Sequence, residues 1–236
     1  MKRRRLGQHY LVDPEVIRRV VSLADVGPAD RVLEIGTGKG ALTKELAGLG
    51  ASYLGYEVDR VNFEETSALV RGTAARIVLA DAFQERPDFD VLVSSLPYSE
   101  SAAFVKWLSG KGFRRAVVVL QDDFVRKCMA PPGSRDYRGV SALSQICFDV
   151  RVLEDVPRTA FVPQPRVGSV IASFTPVRRI GKVEVTNIFR LFSLRRRQAD
   201  SALTELGMKG AESFGRRRVN SLRPEEVHLL CGQRPR

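Results

Sequence analysis

The stretch Glu34-Ile35-Gly36-Thr37-Gly38-Lys39-Gly40 constrains this chain more than any other. A short apolar run at 31–35 leads into it, and a helical pattern at 41–49 follows, stopped by Gly50. Glycines at alternate positions let the backbone turn sharply and leave room for a ligand against the main chain. A buried strand, a glycine turn and a helix in that order open a parallel α/β sheet. The alternation continues, with strand patterns at 53–57, 76–81, 90–95 and 116–120 and helical segments between them. Residues 14–23 form an amphipathic helix with Asp13 as its cap and Pro14 in its first turn. The spacing predicts a Rossmann-like α/β fold with a mostly parallel sheet covered on both faces.

After residue 150 the pattern changes. Residues 150–156 and 169–174 read as strands, and the segment 161–166 between them is too short for a crossover helix. An antiparallel hairpin at the sheet edge is the expected arrangement. From Val185 onward the signal is helical and basic, and Pro176 and Gly181 punctuate the change. The expected division is a catalytic-type domain over 1–177 and a small C-terminal helical domain over 178–236.

Charge sharpens the division. Of a net +11, residues 2–5 contribute four positive charges and residues 178–236 a net +8, while residues 6–177 carry a net of −1. Basic ends on a nearly neutral body suit a polyanion whose counterions are released on binding. Arg195, Arg196 and Arg197 follow apolar Ile188, Leu191 and Phe192 at helical spacing. With Arg216, Arg217 and Arg218, and with Lys2–Arg5, they are the candidate nucleic-acid-binding residues, arginine forks matching phosphate oxygens. No apolar run is long enough for a membrane span, and no apolar segment follows Lys2–Arg5 as a secretory signal requires. Cys128, Cys147 and Cys231 lie far apart, and with His9 and His228 they match no metal-site spacing. The expectation is a cytoplasmic, monomeric protein with free thiols and no metal.

The glycine loop is shared by two cofactor classes. Dinucleotide sites favour G-x-G-x-x-G, whose helix N-terminus receives a pyrophosphate. Here the spacing is G-x-G-x-G, preceded by acidic Glu34. A carboxylate there suits the amino and sulfonium groups of S-adenosyl-L-methionine and repels a pyrophosphate. Glu57 ends the next strand pattern, placed to accept hydrogen bonds from ribose hydroxyls. Asp81 ends the third, and Ala82 and Phe83 after it offer apolar contact to an adenine ring. The methyl donor is favoured over a nicotinamide cofactor.

The fourth strand ends in Ser95-Leu96-Pro97-Tyr98. In a parallel sheet that edge faces the ligand crevice. Proline stiffens the turn and extends Leu96, so backbone carbonyls there can accept from an exocyclic amine, while Tyr98 offers a flat face to a base.

Six ordered motifs make the chain resemble the ribosomal RNA adenine N6-dimethyltransferases of the KsgA family. Gly7-Gln8-His9-Tyr10-Leu11-Val12-Asp13 is similar to that family's G-Q-N-F-L-x-D. Glu34 to Thr43 resembles E-I-G-P-G-x-G-x-L-T, and Ser95 to Tyr98 resembles N-L-P-Y. Phe161 to Val170 resembles F-x-P-x-P-x-V-D-S-x-V. Phe192 to Arg197 and Arg218 to Glu226 resemble two C-terminal motifs. The resemblance implies dimethylation of two adjacent adenines near the 3′ end of small-subunit rRNA, as part of ribosome biogenesis. It implies cofactor contacts at His9, Leu11, Gly36, Glu57, Asp81 and Ser95, beside which Gln8, Glu34, Gly38 and Ala82 are further candidate cofactor residues. It implies an acceptor pocket at Ser95, Leu96, Pro97 and Tyr98, with Phe161 as a second aromatic near the base.

Departures keep other functions open. His9 stands where the family has Asn, Gly168 where it has an acid, and Ser95 where it has the Asn of N-L-P-Y. A hydroxyl is shorter than an amide and offers one oxygen. A cytosine-N4 RNA methyltransferase, or a non-catalytic assembly or transcription factor on the same scaffold, are the alternatives.

Overall fold

The computed structural model describes residues 8–209, 214 and 216–232. Its elements run β1 (Tyr10–Leu11), α1 (Pro14–Ala24), β2 (Arg31–Ile35), α2 (Ala41–Ala47), β3 (Ser52–Glu57), α3 (Arg60–Leu69), β4 (Arg76–Leu79), β5 (Val91–Ser95), α4 (Ser101–Leu108), β6 (Arg115–Gln121), α5 (Asp122–Cys128), α6 (Gly139–Cys147), β7 (Phe148–Val156), β8 (Phe161–Val162), β9 (Ser169–Pro176), α7 (Lys182–Ser193), α8 (Ala199–Glu205) and α9 (Pro224–Cys231). They form two compact units. One comprises residues 1–103, 112–123 and 151–175, the other 104–111, 124–150 and 176–236.

The larger sheet has the order β4-β3-β2-β5-β6-β9-β7. The strands from β4 to β6 are parallel, and β9 runs antiparallel to β6, Ala116 facing Phe174 and Gln121 facing Ser169. The chain direction in β2–β5 brings Ile35, Glu57 and Ser95 to one edge, because parallel register aligns Glu34 with both Gly55 and Val93. Strand β6 is covered on both faces, Ala116 to Leu120 being at most 1% exposed, and so reads as a continuous apolar run rather than an alternation. Asp13 caps α1 by accepting from the backbone of Glu15 and Val16, and Ile17, Val20 and Ala24 turn one stripe into the core with Leu42, Leu46 and Val93. Arg31 fixes the start of β2 to Asp90, donating to it from both backbone and guanidinium at 2.9 Å, and holds that carboxyl down to about 2.

One feature departs from the sequence expectation. Residues 161–162 are not merely a connecting loop. They pair antiparallel with β1, Tyr10 facing Val162 and Leu11 facing Phe161, in a separate two-stranded sheet. In the larger sheet β9 lies between β6 and β7, which puts the β7–β9 pair at one edge as expected, β7 being outermost there and β4 at the opposite edge.

The second unit is helical. α6, nearly all of whose residues are buried, packs against α7 and α9, which pack on each other. An apolar helix at 139–147 needs cover on several sides, which draws residues 104–111 and 124–150 into a unit with 176–236. Cys128, Cys147 and Cys231 are free and buried. Among the described residues there is no helix long and apolar enough to cross a membrane, and no His, Cys, Asp and Glu group that could hold a metal.

Candidate active site

The glycine loop takes its shape from left-handed backbone. Gly36, Gly38 and Gly40 have φ of 73°, 53° and 78°. A Cβ on Gly36 would meet nothing within 4 Å, so the backbone there is open to a ligand. A Cβ on Gly38 would come within 3.3 Å of the Tyr10 ring, which β1 lays across the loop. Gly36 N–H donates to the Tyr56 carbonyl at 2.8 Å, tying the loop to the end of β3.

Glu57, 3% exposed, stands at that end. One carboxylate oxygen accepts from Gly38 N–H at 2.8 Å, the other from the N–H groups of Val58 and Asp59, also at 2.8 Å. Three backbone donors hold the carboxylate rigidly at the edge of a crevice of about 250 Å³. The same crevice is walled by Gln8, His9, Gly36, Gly38, Asp81, Ala82, Phe83, Ser95, Leu96 and Pro97. Asp81 is exposed, and one of its oxygens accepts from Phe83 N–H at 2.9 Å, which stiffens the β4 tip. A smaller adjoining recess is lined by His9, Leu11, Glu34, Gly36, Gly38 and Ser95.

Glu34 is placed differently from the expectation of a charged neighbour to a sulfonium. It is 1% exposed and accepts from Thr43 at 2.9 Å and Tyr53 at 2.5 Å. Burial raises its carboxyl to about 8, so it is mostly neutral at pH 7. Negative charge in the main crevice comes from Glu57, Asp81 and Glu100. An open glycine cradle, a fixed carboxylate and an apolar Ala82–Phe83 wall fit a cationic adenine nucleoside.

The acceptor turn is built on β5. Ser94 donates to the Ile35 carbonyl at 2.5 Å, locking β5 to the strand that carries the loop. Ser95 lines both recesses. Glu100 N–H donates to the Pro97 carbonyl at 2.9 Å and Ser101 Oγ to the Tyr98 carbonyl at 2.9 Å, so Tyr98 sits in a closed turn. The Tyr98 hydroxyl shares a 2.5 Å hydrogen bond with Ser169 Oγ, and burial pushes the phenol above its ordinary value. Tyr98 lines neither recess. Phe161, expected beside the base, is 2% exposed in the core with Leu11 and Ala160 and lines neither recess, because pairing with β1 turns it inward. Sequence reasoning missed Tyr10, Tyr56, Val58 and Glu100 as wall residues. Tyr56 and Val58 flank Glu57, so adjacency to the strand-tip acid was a usable signal, whereas nothing local marked Glu100.

In the second unit the two arginine triplets come together. Gln198 and Arg218 form an antiparallel bridge, Val219 N–H donates to the Arg197 carbonyl and Asn220 N–H to the Arg195 carbonyl, each at 3.0 Å. Two of the six side chains are committed internally. Arg197 pairs with Glu205, and Arg217 pairs with Glu226 at 2.9 and 3.0 Å, lowering the Glu226 carboxyl to about 2. Arg195, Arg196, Arg216 and Arg218 make no ion pair among the described residues. Lys2–Arg5 and Gly7 lie outside the described residues.

Comparison with known proteins agrees with this geometry. The family described as "Ribosomal RNA adenine dimethylase" matches residues 1–222. A relative from Moorella thermoacetica, "Ribosomal RNA small subunit methyltransferase A", is 34% identical, covering 95% of this chain and 89% of its own. A "Probable ribosomal RNA small subunit methyltransferase A" from Pyrococcus abyssi is 33% identical, covering 94% of this chain and 88% of its own. Among solved structures, a dimethyladenosine transferase from Plasmodium falciparum superposes with a TM-score of 0.77 at 22% identity, over 93% of this chain and 94% of that one. The 23S rRNA methyltransferase ErmE gives 0.66 at 24% identity, over 94% and 98%. These two likenesses establish the Rossmann-like methyltransferase fold. The family match and the curated relatives extend over most of the chain, and it belongs to the ribosomal RNA adenine dimethylase family.

Proposed function

We propose that this chain transfers methyl groups from S-adenosyl-L-methionine to the N6 amine of adenines near the 3′ end of small-subunit rRNA. Its setting is ribosome biogenesis in the cytoplasm, as a monomer acting on a 30S-type particle. The observation that carries the reading is one crevice holding the glycine loop, the acids of two neighbouring strand tips and the Ser95–Pro97 turn. When bound, S-adenosyl-L-methionine supplies a methyl group made electrophilic by its sulfonium. Glu57 accepts from the ribose hydroxyls, Asp81 from the adenine amine, and Ala82 and Phe83 cover the adenine face. Gln8, His9 and Leu11 close the site from β1 and its approach. The Ser95 hydroxyl and the Leu96 carbonyl accept from the acceptor amine, aiming its lone pair into the crevice. Aim replaces a general base here, since holding the reacting atoms in line removes much of the barrier. An adenine in a helical stem must leave its stack to arrive.

Methyl transfer is assigned to residues 1–177 and the RNA grip to 178–236. Replacing Arg195, Arg196, Arg216 and Arg218 together by alanine lowers RNA affinity and flattens its salt dependence, by about 0.7 in log–log slope per lost phosphate contact. Filter binding across salt concentrations measures this. An unchanged slope would remove these arginines from the interface. Arg217→Ala acts on stability instead. It strips a bidentate partner from Glu226 and lowers the melting temperature by about 2–8 °C, on a loss of roughly 1–2 kcal/mol.

The direct test incubates purified protein with undermethylated 30S particles and labelled S-adenosyl-L-methionine, followed by nucleoside mass spectrometry. N6-dimethyladenosine is expected. N4-methylcytosine would overturn the adenine assignment, and tight cofactor binding without any methylated nucleoside would overturn catalysis.

A further inference from the structure

Three carboxylates line the main crevice, and the reading above uses only two of them. Glu57 is given to the ribose hydroxyls and Asp81 to the adenine amine, which leaves Glu100 without a task. Glu100 comes to the wall from the acceptor turn, where its own N–H donates to the Pro97 carbonyl at 2.9 Å. Its carboxylate is lightly engaged. Oε1 accepts from Ser99 Oγ at 3.2 Å, and no cation pairs with it among the described residues. The Glu57 charge, by contrast, is spread over three backbone donors. The lining residues include no lysine or arginine to offset the Glu100 charge.

S-adenosyl-L-methionine and its spent form, S-adenosylhomocysteine, share the adenine, the ribose and the amino-acid tail. They differ by one methyl group and by the positive charge it places on sulfur. Groups that bind the ribose or the adenine by hydrogen bonds meet the same partners in both. A carboxylate acting through space does not, because it attracts the sulfonium and leaves the neutral thioether nearly unaffected. Dimethylation depends on that difference, since the spent form must leave before the second transfer.

We propose that Glu100 is a specificity-determining residue, which favours the cationic methyl donor over its neutral product by charge. The inference rests on the methyltransferase reading above and adds a selection that the other two acids do not supply by hydrogen bonding. It requires no contact with sulfur. A unit charge roughly 5–10 Å away across a half-wet crevice changes an affinity by about 3–10-fold.

The test uses full-length wild-type, Glu100→Gln and Glu100→Asp proteins without RNA. Calorimetry measures the affinity of each for S-adenosyl-L-methionine and, separately, for S-adenosylhomocysteine. Glu100→Gln is expected to weaken the donor by about 3–10-fold while the product stays within about 2-fold of wild type. Glu100→Asp keeps the charge and holds the ratio of the two affinities within about 2-fold of wild type. Should the amide variant fold poorly, Glu100→Ala carries the same expectation. A merely structural side chain would shift both affinities alike, so an unchanged ratio in well-folded Glu100→Gln or Glu100→Ala would overturn the proposal and leave the cofactor site standing. Equal loss of ratio in Glu100→Asp would also overturn it, because charge would then not be the cause. Wild-type protein that binds neither compound overturns the cofactor reading, and this proposal with it.

Discussion

Replacing Glu57 by glutamine is expected to weaken cofactor binding severely while the fold survives. The carboxylate accepts from three backbone N–H groups, of Gly38, Val58 and Asp59, each at 2.8 Å. Both oxygens are engaged, so whichever way an amide sits, its NH₂ group faces an N–H donor. The variant forfeits at least one charge-assisted bond, worth about 1.5–3 kcal/mol, and its repelled edge displaces the loop at Gly38. With the cofactor placed as proposed, the ribose hydroxyls would lose a fixed anionic acceptor in the same place. Losses of that size together weaken S-adenosyl-L-methionine binding by about 100-fold or more. The melting temperature falls by only about 3–10 °C, because the loop lies outside the core of the first unit. Calorimetry and a thermal melt on the same preparation measure both. An affinity within about 3-fold of wild type would remove Glu57 from the cofactor site.

Glu34 governs a second large effect, on stability against pH. In the folded chain burial keeps its proton on up to about pH 8, whereas its ordinary value is 4.5. Between those values the folded state binds one proton more than the unfolded state, so stability falls as pH rises through this window. Below pH 4.5 both states are protonated and Glu34 contributes nothing. Above about 8 both are ionised and the loss is complete, on the order of a few kcal/mol. Glu34→Gln is neutral at every pH and keeps an oxygen for Thr43 and Tyr53, which donate to the native side chain. The expected result is a shallower decline in denaturation midpoint from pH 5 to 8 for the variant than for wild type, and a variant more stable than wild type at pH 8. Parallel curves would show that Glu34 ionises normally in the fold.

The neutral state of Glu34 also bears on specificity. The sequence reads it as a charge beside the loop, but tertiary burial converts it into an anchor between β2, α2 and β3 through Thr43 and Tyr53. The carboxyl groups that line the main crevice are those of Glu57 and Asp81, joined by Glu100 from the acceptor turn, while Glu34 lines the smaller recess. Glu100 is three residues past Pro97 and carries no motif of its own. Only the turn closed by its backbone bond to Pro97 puts it on the wall.

What the sequence alone determined was everything encoded within a dozen or so residues. The glycine loop, the strands from β2 to β6, the cap on α1 and the acids at strand tips follow from periodicity, turn chemistry and backbone limits, which are local properties. Parallel order then needs no further information to bring the ends of β2, β3 and β5 to one edge. Contacts between distant segments were decided by tertiary structure. β1 pairs with β8 across about 150 residues, which turns Phe161 into the core and sets His9 on Tyr98. The arginine triplets meet along a backbone bridge, which reserves Arg197 and Arg217 for internal ion pairs. Such choices depend on which buried faces and unpaired backbone groups find each other when the chain collapses, and no local pattern records that partner.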